Sequence, residues 1–135
     1  MSSIKGKNTL PELLVRKALH AKGFRYLLHV KSLPGAPDLV FPRYKAIIFV
    51  HGCFWHQHGC SNSKMPGTRV EFWSTKLNGN KARDKAQVEK LLGQGWRVAI
   101  VWECSIRKTQ KAGGDSVFQD VGHWLTASDT LFMQF

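Results

Sequence analysis

The chain is expected to be an α/β protein, a mixed β-sheet flanked by helices. Two apolar runs carry this expectation, Lys45-Ala46-Ile47-Ile48-Phe49-Val50 and Trp96-Arg97-Val98-Ala99-Ile100-Val101-Trp102. Each is short and nearly continuous, the pattern of a strand buried on both faces. Around them lie helical stretches with recognisable starts and stops, so helices should cover the sheet.

In chain order, residues 1–8 are polar and basic and read as an arm. Thr9-Leu10-Pro11-Glu12 has the form of a capping box, with a hydroxyl at the cap, a proline in the first turn and a carboxylate three residues on. Leu10, Leu13, Leu14, Ala18 and Ala21 then follow a helical stripe that Gly23 ends, giving a helix from Leu10 to Lys22. Phe24 to Val30 reads as a short strand, and Leu33-Pro34-Gly35-Ala36-Pro37 as a turn. Asp38 to Phe41, the turn Pro42-Arg43-Tyr44 and the run to Val50 form a hairpin. Residues 51–70 lack periodicity and read as a loop. Residues 69–77 and 80–93 read as two helices, the second ending at Gly93 and Gly95. Trp96 to Trp102 is the next buried strand, and a last helix runs from Asp115 or Ser116 to about Leu125. The whole is expected to form one domain over residues 1–135, with a helical extension at 111–135.

An apolar fraction of 43% with 11% aromatics excludes a disordered tail or a solenoid. No apolar run is long enough to span a membrane, and no charged start precedes an apolar signal segment. A soluble, cytoplasmic protein is expected. The net charge of +11 favours a polyanionic partner. In residues 1–70 only Glu12 and Asp38 are acidic, against eleven lysines and arginines. Charge alone is equally compatible with a basic soluble surface or with RNA binding. A lone carboxylate in a basic field is also a natural anchor for a divalent ion against phosphates.

Cys53, His58 and Cys60 form a C-x4-H-x-C cluster, and Cys104 follows the strand that ends at Trp102. Two thiolates, an imidazole and a distant third thiolate are a Cys3His set for a closed tetrahedral zinc site, which would tie the glycine-dotted loop to a core strand. Buried reduced cysteines are the alternative. Asp38 stands in Pro37-Asp38, twelve residues before the end of the neighbouring strand, where many metal-dependent nucleases keep a ligand acid. The partner triplet Val50-His51-Gly52 has neither the second acid nor the lysine of that pattern, so on spacing alone a turn aspartate is the favoured reading. His51 and His56 flank Cys53 and the pair Phe54-Trp55. Either histidine could exchange a proton near neutrality, or could be a surface or ligand residue. Glu12 reads as the capping-box acid.

Together these segments resemble the very-short-patch mismatch-repair endonucleases. The resemblance rests on Lys7-Asn8-Thr9 with Pro11-Glu12-Leu13-Leu14, and on Ser32-Leu33-Pro34-Gly35-Ala36-Pro37-Asp38. His51-Gly52-Cys53-Phe54-Trp55-His56, leading to His58 and Cys60, is its most distinctive part. Thr68-Arg69, Glu71-Phe72-Trp73, Gly95-Trp96-Arg97 and Val101-Trp102-Glu103-Cys104 complete it, over residues 4–107. It implies a restriction-endonuclease-like α/β core with a zinc-stabilised loop. It further implies magnesium-dependent, strand-specific nicking of duplex DNA 5′ of the thymine in T:G mismatches left by deaminated 5-methylcytosine. By that resemblance Asp38 binds magnesium with the backbone carbonyl of Val50, His56 activates water, Asp84 orients it, and Glu12 and His51 fill the other active-site positions. Zinc is held by Cys53, His58, Cys60 and Cys104. Phe54, Trp55 and Trp73 match aromatics that wedge into the duplex, where an apolar insertion offsets the cost of unstacking a step. A monomer suffices to cut one strand, and contacts with other mismatch-repair proteins are implied. The rival readings are a zinc-stabilised DNA-binding module without cleavage and a nuclease of the same fold with another DNA target.

Overall fold

The computed structural model describes residues 9–53, 67 and 69–135. Helix α1 spans Leu10–Ala21, capped by Thr9, whose side chain accepts from the backbone N–H of Glu12. Strands β1 (Leu27–Leu28), β2 (Leu39–Phe41) and β3 (Ala46–His51) follow, with a tight turn at Pro42–Tyr44 between the last two. Helix α2 is Val70–Gly93, β4 is Arg97–Trp102, α3 is Glu103–Lys111, α4 is Ser116–Ala127 and β5 is Phe132–Gln134.

Among the described residues the strands form one mixed sheet in the order β1-β2-β3-β4-β5. The first three are antiparallel, while β3, β4 and β5 run parallel. The two long apolar runs of the sequence are the adjacent central strands β3 and β4, and their side chains alternate between two cores. Ala46, Ile48, Ala99 and Val101 pack with Val15, Leu19, Ile106, Val121 and Trp124 of α1, α3 and α4. Ile47, Phe49, Val98 and Ile100 pack with Val88 and Leu91 of α2. Helices therefore cover both faces, which is why neither strand shows a polar alternation. This is the restriction-endonuclease-like α/β arrangement.

Four elements differ from the sequence reading. The first strand shrinks from Phe24–Val30 to Leu27–Leu28, since only that pair meets Leu39 and Val40. The two helices expected at 69–77 and 80–93 are one, α2. Gly79 costs a helix only about 1 kcal/mol, and Leu77, Val88 and Leu91 are buried on both sides of it. Helix α3 was not expected, because only Ile106 and Thr109 of its nine residues are buried and the apolar period is faint. The helical extension at 111–135 holds α4 but ends in strand β5, whose three residues are exposed at the sheet edge.

The stripe of α1 also turns differently. Its buried residues are Glu12, Val15 and Leu19, whereas Leu10 and Leu13 are exposed. The helix thus aims a carboxylate into the protein beside Val15 and Leu19.

Arg97 ties the end of α4 to the sheet. Its guanidinium donates to the carbonyls of Trp124 (2.9 Å), Leu125 (2.9 Å), Ser128 (3.1 Å) and Tyr44 (3.3 Å) and lies 4.7 Å from the Trp124 ring centroid. A cation there satisfies the carbonyls that a helix C-terminus leaves open. Arg97→Met is expected to cost roughly 3 kcal/mol, read as a lower midpoint in urea unfolding, because charge-assisted bonds are lost and buried acceptors orphaned. An unchanged midpoint would show that water replaces the guanidinium without loss.

Candidate active site

The site is built where α1, the β1–β2 hairpin and the end of β3 meet. Asp38 directly precedes β2, held there by the reversal at Leu33–Ala36, where Ala36 N–H donates to Leu33 O at 3.0 Å. Gly35 is needed in that turn: its φ is +79°, and a Cβ would come within 2.8 Å of Gln87 Oε1 and 3.1 Å of Phe49 Cε1.

Past Ile48, strand β3 has no β2 residue opposite it. The Asp38 carboxylate takes over that edge, accepting from the Val50 N–H at 2.7 Å. In an extended strand the N–H and C=O of one residue leave on the same side, so the Val50 carbonyl lies on the Asp38 edge of the sheet.

Glu12 reaches the same place from α1. It is almost wholly buried, accepts from the Arg16 guanidinium one turn along the helix, and lies 2.7 Å from His29 Nε2. The sequence reading of Glu12 as a capping-box acid is corrected here. Only its backbone N–H serves the cap, and its side chain points to Asp38 and His29.

Ligand atoms of Glu12, His29 and Asp38 all lie within 4.8 Å of one another. Burial pushes the Asp38 carboxyl up to about 7, the neighbouring Glu12 adds to the push, and the Val50 N–H and Arg16 pull against it. Two carboxylates brought together out of water call for a cation or a shared proton between them. The donor set therefore fits a divalent ion, which takes oxygen ligands from carboxylates and carbonyls. His29 was missed in the sequence. Its signal lay in the hairpin register: with Leu28 opposite Leu39, His29 falls beside Asp38, and its N–H donates to Asp38 O at 3.2 Å.

His51 ends β3 with its ring 5.3 Å from Trp102 and 5.7 Å from Phe49, centroid to centroid. With Asp84, Lys81 and Lys85 of α2 it lines a cavity of about 430 Å³ between that helix and the sheet. His51 and Asp84 thus share one cavity, and Val50 joins them through the chain to Asp38. Trp73 is half-buried in the first turns of α2, packed edge-to-face on Phe72 at 5.3 Å. Phe72 is the exposed member of the pair, with the Arg69 guanidinium 4.5 Å from its ring centroid.

Cys53 is fully buried and Cys104 half-buried, both against the α2-side core. Parallel pairing puts His51 opposite Trp102, so the chain two residues beyond each, at Cys53 and Cys104, leaves the sheet at one end. A Cys53 N–H bond to Glu103 Oε1 at 3.4 Å joins the two exits. Two of the four expected zinc ligands are thereby brought to the same end of neighbouring strands. Phe54, Trp55, His56, His58 and Cys60 lie outside the described residues.

The family model for the DNA mismatch endonuclease Vsr matches residues 1–62. The type II nicking enzyme V.XorIIP of Xanthomonas oryzae pv. oryzae is 49% identical over 106 residues, 78% of this chain and 78% of that protein. The DNA mismatch endonuclease Vsr of Escherichia coli strain K12 is 38% identical over 125 residues, 93% of this chain and 80% of its own length. The type II nicking enzyme V.NmeAIP of Neisseria meningitidis is 41% identical over 107 residues, covering 79% and 76%. With a restriction-endonuclease-like sheet, an acid pair gathered at its edge and relatives this similar over most of its length, the chain belongs to the Vsr family of DNA mismatch endonucleases.

Proposed function

We propose that the chain nicks one strand of duplex DNA 5′ of the thymine at a T:G mismatch, by magnesium-dependent hydrolysis of the phosphodiester. The observation that carries the reading is the pairing of buried Glu12 with half-buried Asp38, beside the start of β2 and the end of β3, in the half of the chain that holds no other acid. Asp38 and the Val50 carbonyl would hold magnesium, which when bound supplies Lewis-acid stabilisation of charge on the phosphate oxygens. Asp38 keeps its carboxylate aligned through the Val50 N–H. Glu12, fixed by Arg16 and His29, adds negative charge to the same spot. His56 is the proposed acceptor of the proton from the attacking water, with Asp84 as the residue that orients it, and His51 fills the remaining active-site position at the end of β3. Basic residues of the N-terminal half grip the phosphates. Phe54, Trp55 and Trp73 enter the stack at the mismatch, where opening a step costs least.

Zinc fits the same scheme as a structural ion. Cys53 and Cys104 from the two strand exits, with His58 and Cys60 from the intervening loop, make a closed four-ligand set. Such a set leaves no open position for substrate. None of the described helices is long and apolar enough to cross a membrane. The proposed setting is the cytoplasm, on DNA, as a monomer.

End-labelled duplexes with a T:G mismatch, fully matched DNA and branched DNA, each incubated with and without magnesium, test the substrate. The reading predicts a single nick, 5′ of the mismatched thymine, only with the divalent ion and only in the first duplex. Equal cutting of matched or branched DNA would assign a different target. Binding of the mismatch without cleavage under any divalent ion would make the chain a recognition module.

A further inference from the structure

We propose that His29 is a positioning residue for the carboxylate pair: it fastens Glu12 of α1 to the hairpin that carries Asp38. The inference rests on the reading of Asp38 and Glu12 as the cation-gathering pair and names what holds that pair in register. Glu12 and Asp38 sit on different elements, and their charges repel. Arg16, the other partner of Glu12 described above, is on α1 itself and moves with it. His29 comes from the hairpin. Its Nε2 lies 2.7 Å from Glu12 Oε2, and its backbone N–H donates to the carbonyl of Asp38 at 3.2 Å. One residue thus touches both halves of the pair, by side chain on one and by main chain on the other.

The backbone supports a dedicated role. His29 has φ +48°, a left-handed conformation that costs an ordinary residue energy and that glycine would adopt freely. A strained residue at a cluster of titratable groups marks a side chain worth holding there. The imidazole is 17% exposed and Glu12 only 2%, so the bond is largely sheltered from competing water. Partners of ligand carboxylates fix their rotamers, and losing one usually costs 10- to 100-fold in metal affinity or activity.

The test uses His29→Gly, which removes the imidazole while easing the backbone, and His29→Gln, which keeps an N–H donor. Glu12→Gln, the double variant His29→Gly with Glu12→Gln, and Asp38→Asn complete the set, each confirmed folded by its thermal melt. Manganese(II) binding to the full chain is measured by electron paramagnetic resonance of the free ion, alongside single-turnover nicking. His29→Gly is expected to weaken manganese binding roughly 10- to 100-fold and to slow nicking comparably. His29→Gln is expected to recover part of both. In the Glu12→Gln background, loss of the imidazole is expected to change manganese affinity less than about twofold, since the carboxylate it positions is already gone.

Wild-type manganese affinity in His29→Gly, or a loss of the same size in the Glu12→Gln background, would overturn the role of His29 alone. Unaltered manganese binding in Asp38→Asn would instead sink the reading of the site on which it rests.

Discussion

Asp38→Asn is expected to slow divalent-dependent nicking roughly a thousandfold, the size of effect that losing a metal ligand carries when the ion stabilises several kcal/mol of developing charge. Asparagine is the informative replacement because its amide oxygen can still accept from the Val50 N–H, so the strand edge keeps its bond. The same variant is expected to be more stable than wild type at pH 8 without divalent ions. Burial and Glu12 raise the Asp38 carboxyl to about 7 from a usual value of 3.8, so between these values the folded chain binds a proton that the unfolded chain gives up. The stability from that proton is fully present below about pH 4 and lost as pH rises through 7. Wild type should therefore melt lower at pH 8 than at pH 5.5 relative to Asp38→Asn, which has no proton there to lose. Because the ion competes with that proton, wild-type magnesium affinity should rise across pH 7 and nicking at low magnesium should follow it. Melts and rates across this range decide the matter. Parallel stability profiles would mean that Asp38 ionises like a surface carboxylate.

The second large effect is expected from losing the zinc proposed for Cys53, His58, Cys60 and Cys104. Metal analysis is expected to find about one tightly held zinc per chain, and Cys104→Ser to lose it and melt roughly 10 °C lower or more. The size follows from where the ligands sit. Cys53 and Cys104 close the end of the two central strands, directly beyond His51 and Trp102. With one thiolate gone, the proposed ion could no longer join the exits of β3 and β4, and the strand end that presents Val50 and His51 should lose that clamp. Nicking should fall with the metal. Stoichiometric zinc in Cys104→Ser would mean that another residue completes the set.

How much of this could be read from the sequence depended on burial pattern. Strands β3 and β4 were legible because both faces are covered, which leaves an unbroken apolar run. Helix α3 and strand β5 were not, since one buries two residues of nine and the other lies exposed at an edge. The α1 stripe was misread for a more telling reason. Its inward face runs through Glu12, Val15 and Leu19, and a buried acid interrupts the apolar period on which the reading relied. Local rules failed at the position that the site needs polar. Asp38 stood out through its place beside a buried strand, and His29 was overlooked because the first strand was drawn from Phe24 to Val30, straight through it, and left unpaired. Sequence order placed Glu12 and Asp38 far apart, and only the packing of α1 against the hairpin made them a pair.

We place a divalent ion on the Asp38 carboxylate at the edge of β3. Crystals of the protein bound to a T:G duplex, soaked in manganese and recorded for anomalous scattering, test this directly. A peak within bonding distance of both the Asp38 carboxylate and the Val50 carbonyl, facing the scissile phosphate, is the predicted result. A fully occupied manganese on that phosphate with Asp38 still bonded to the Val50 N–H and contacting no ion would contradict it.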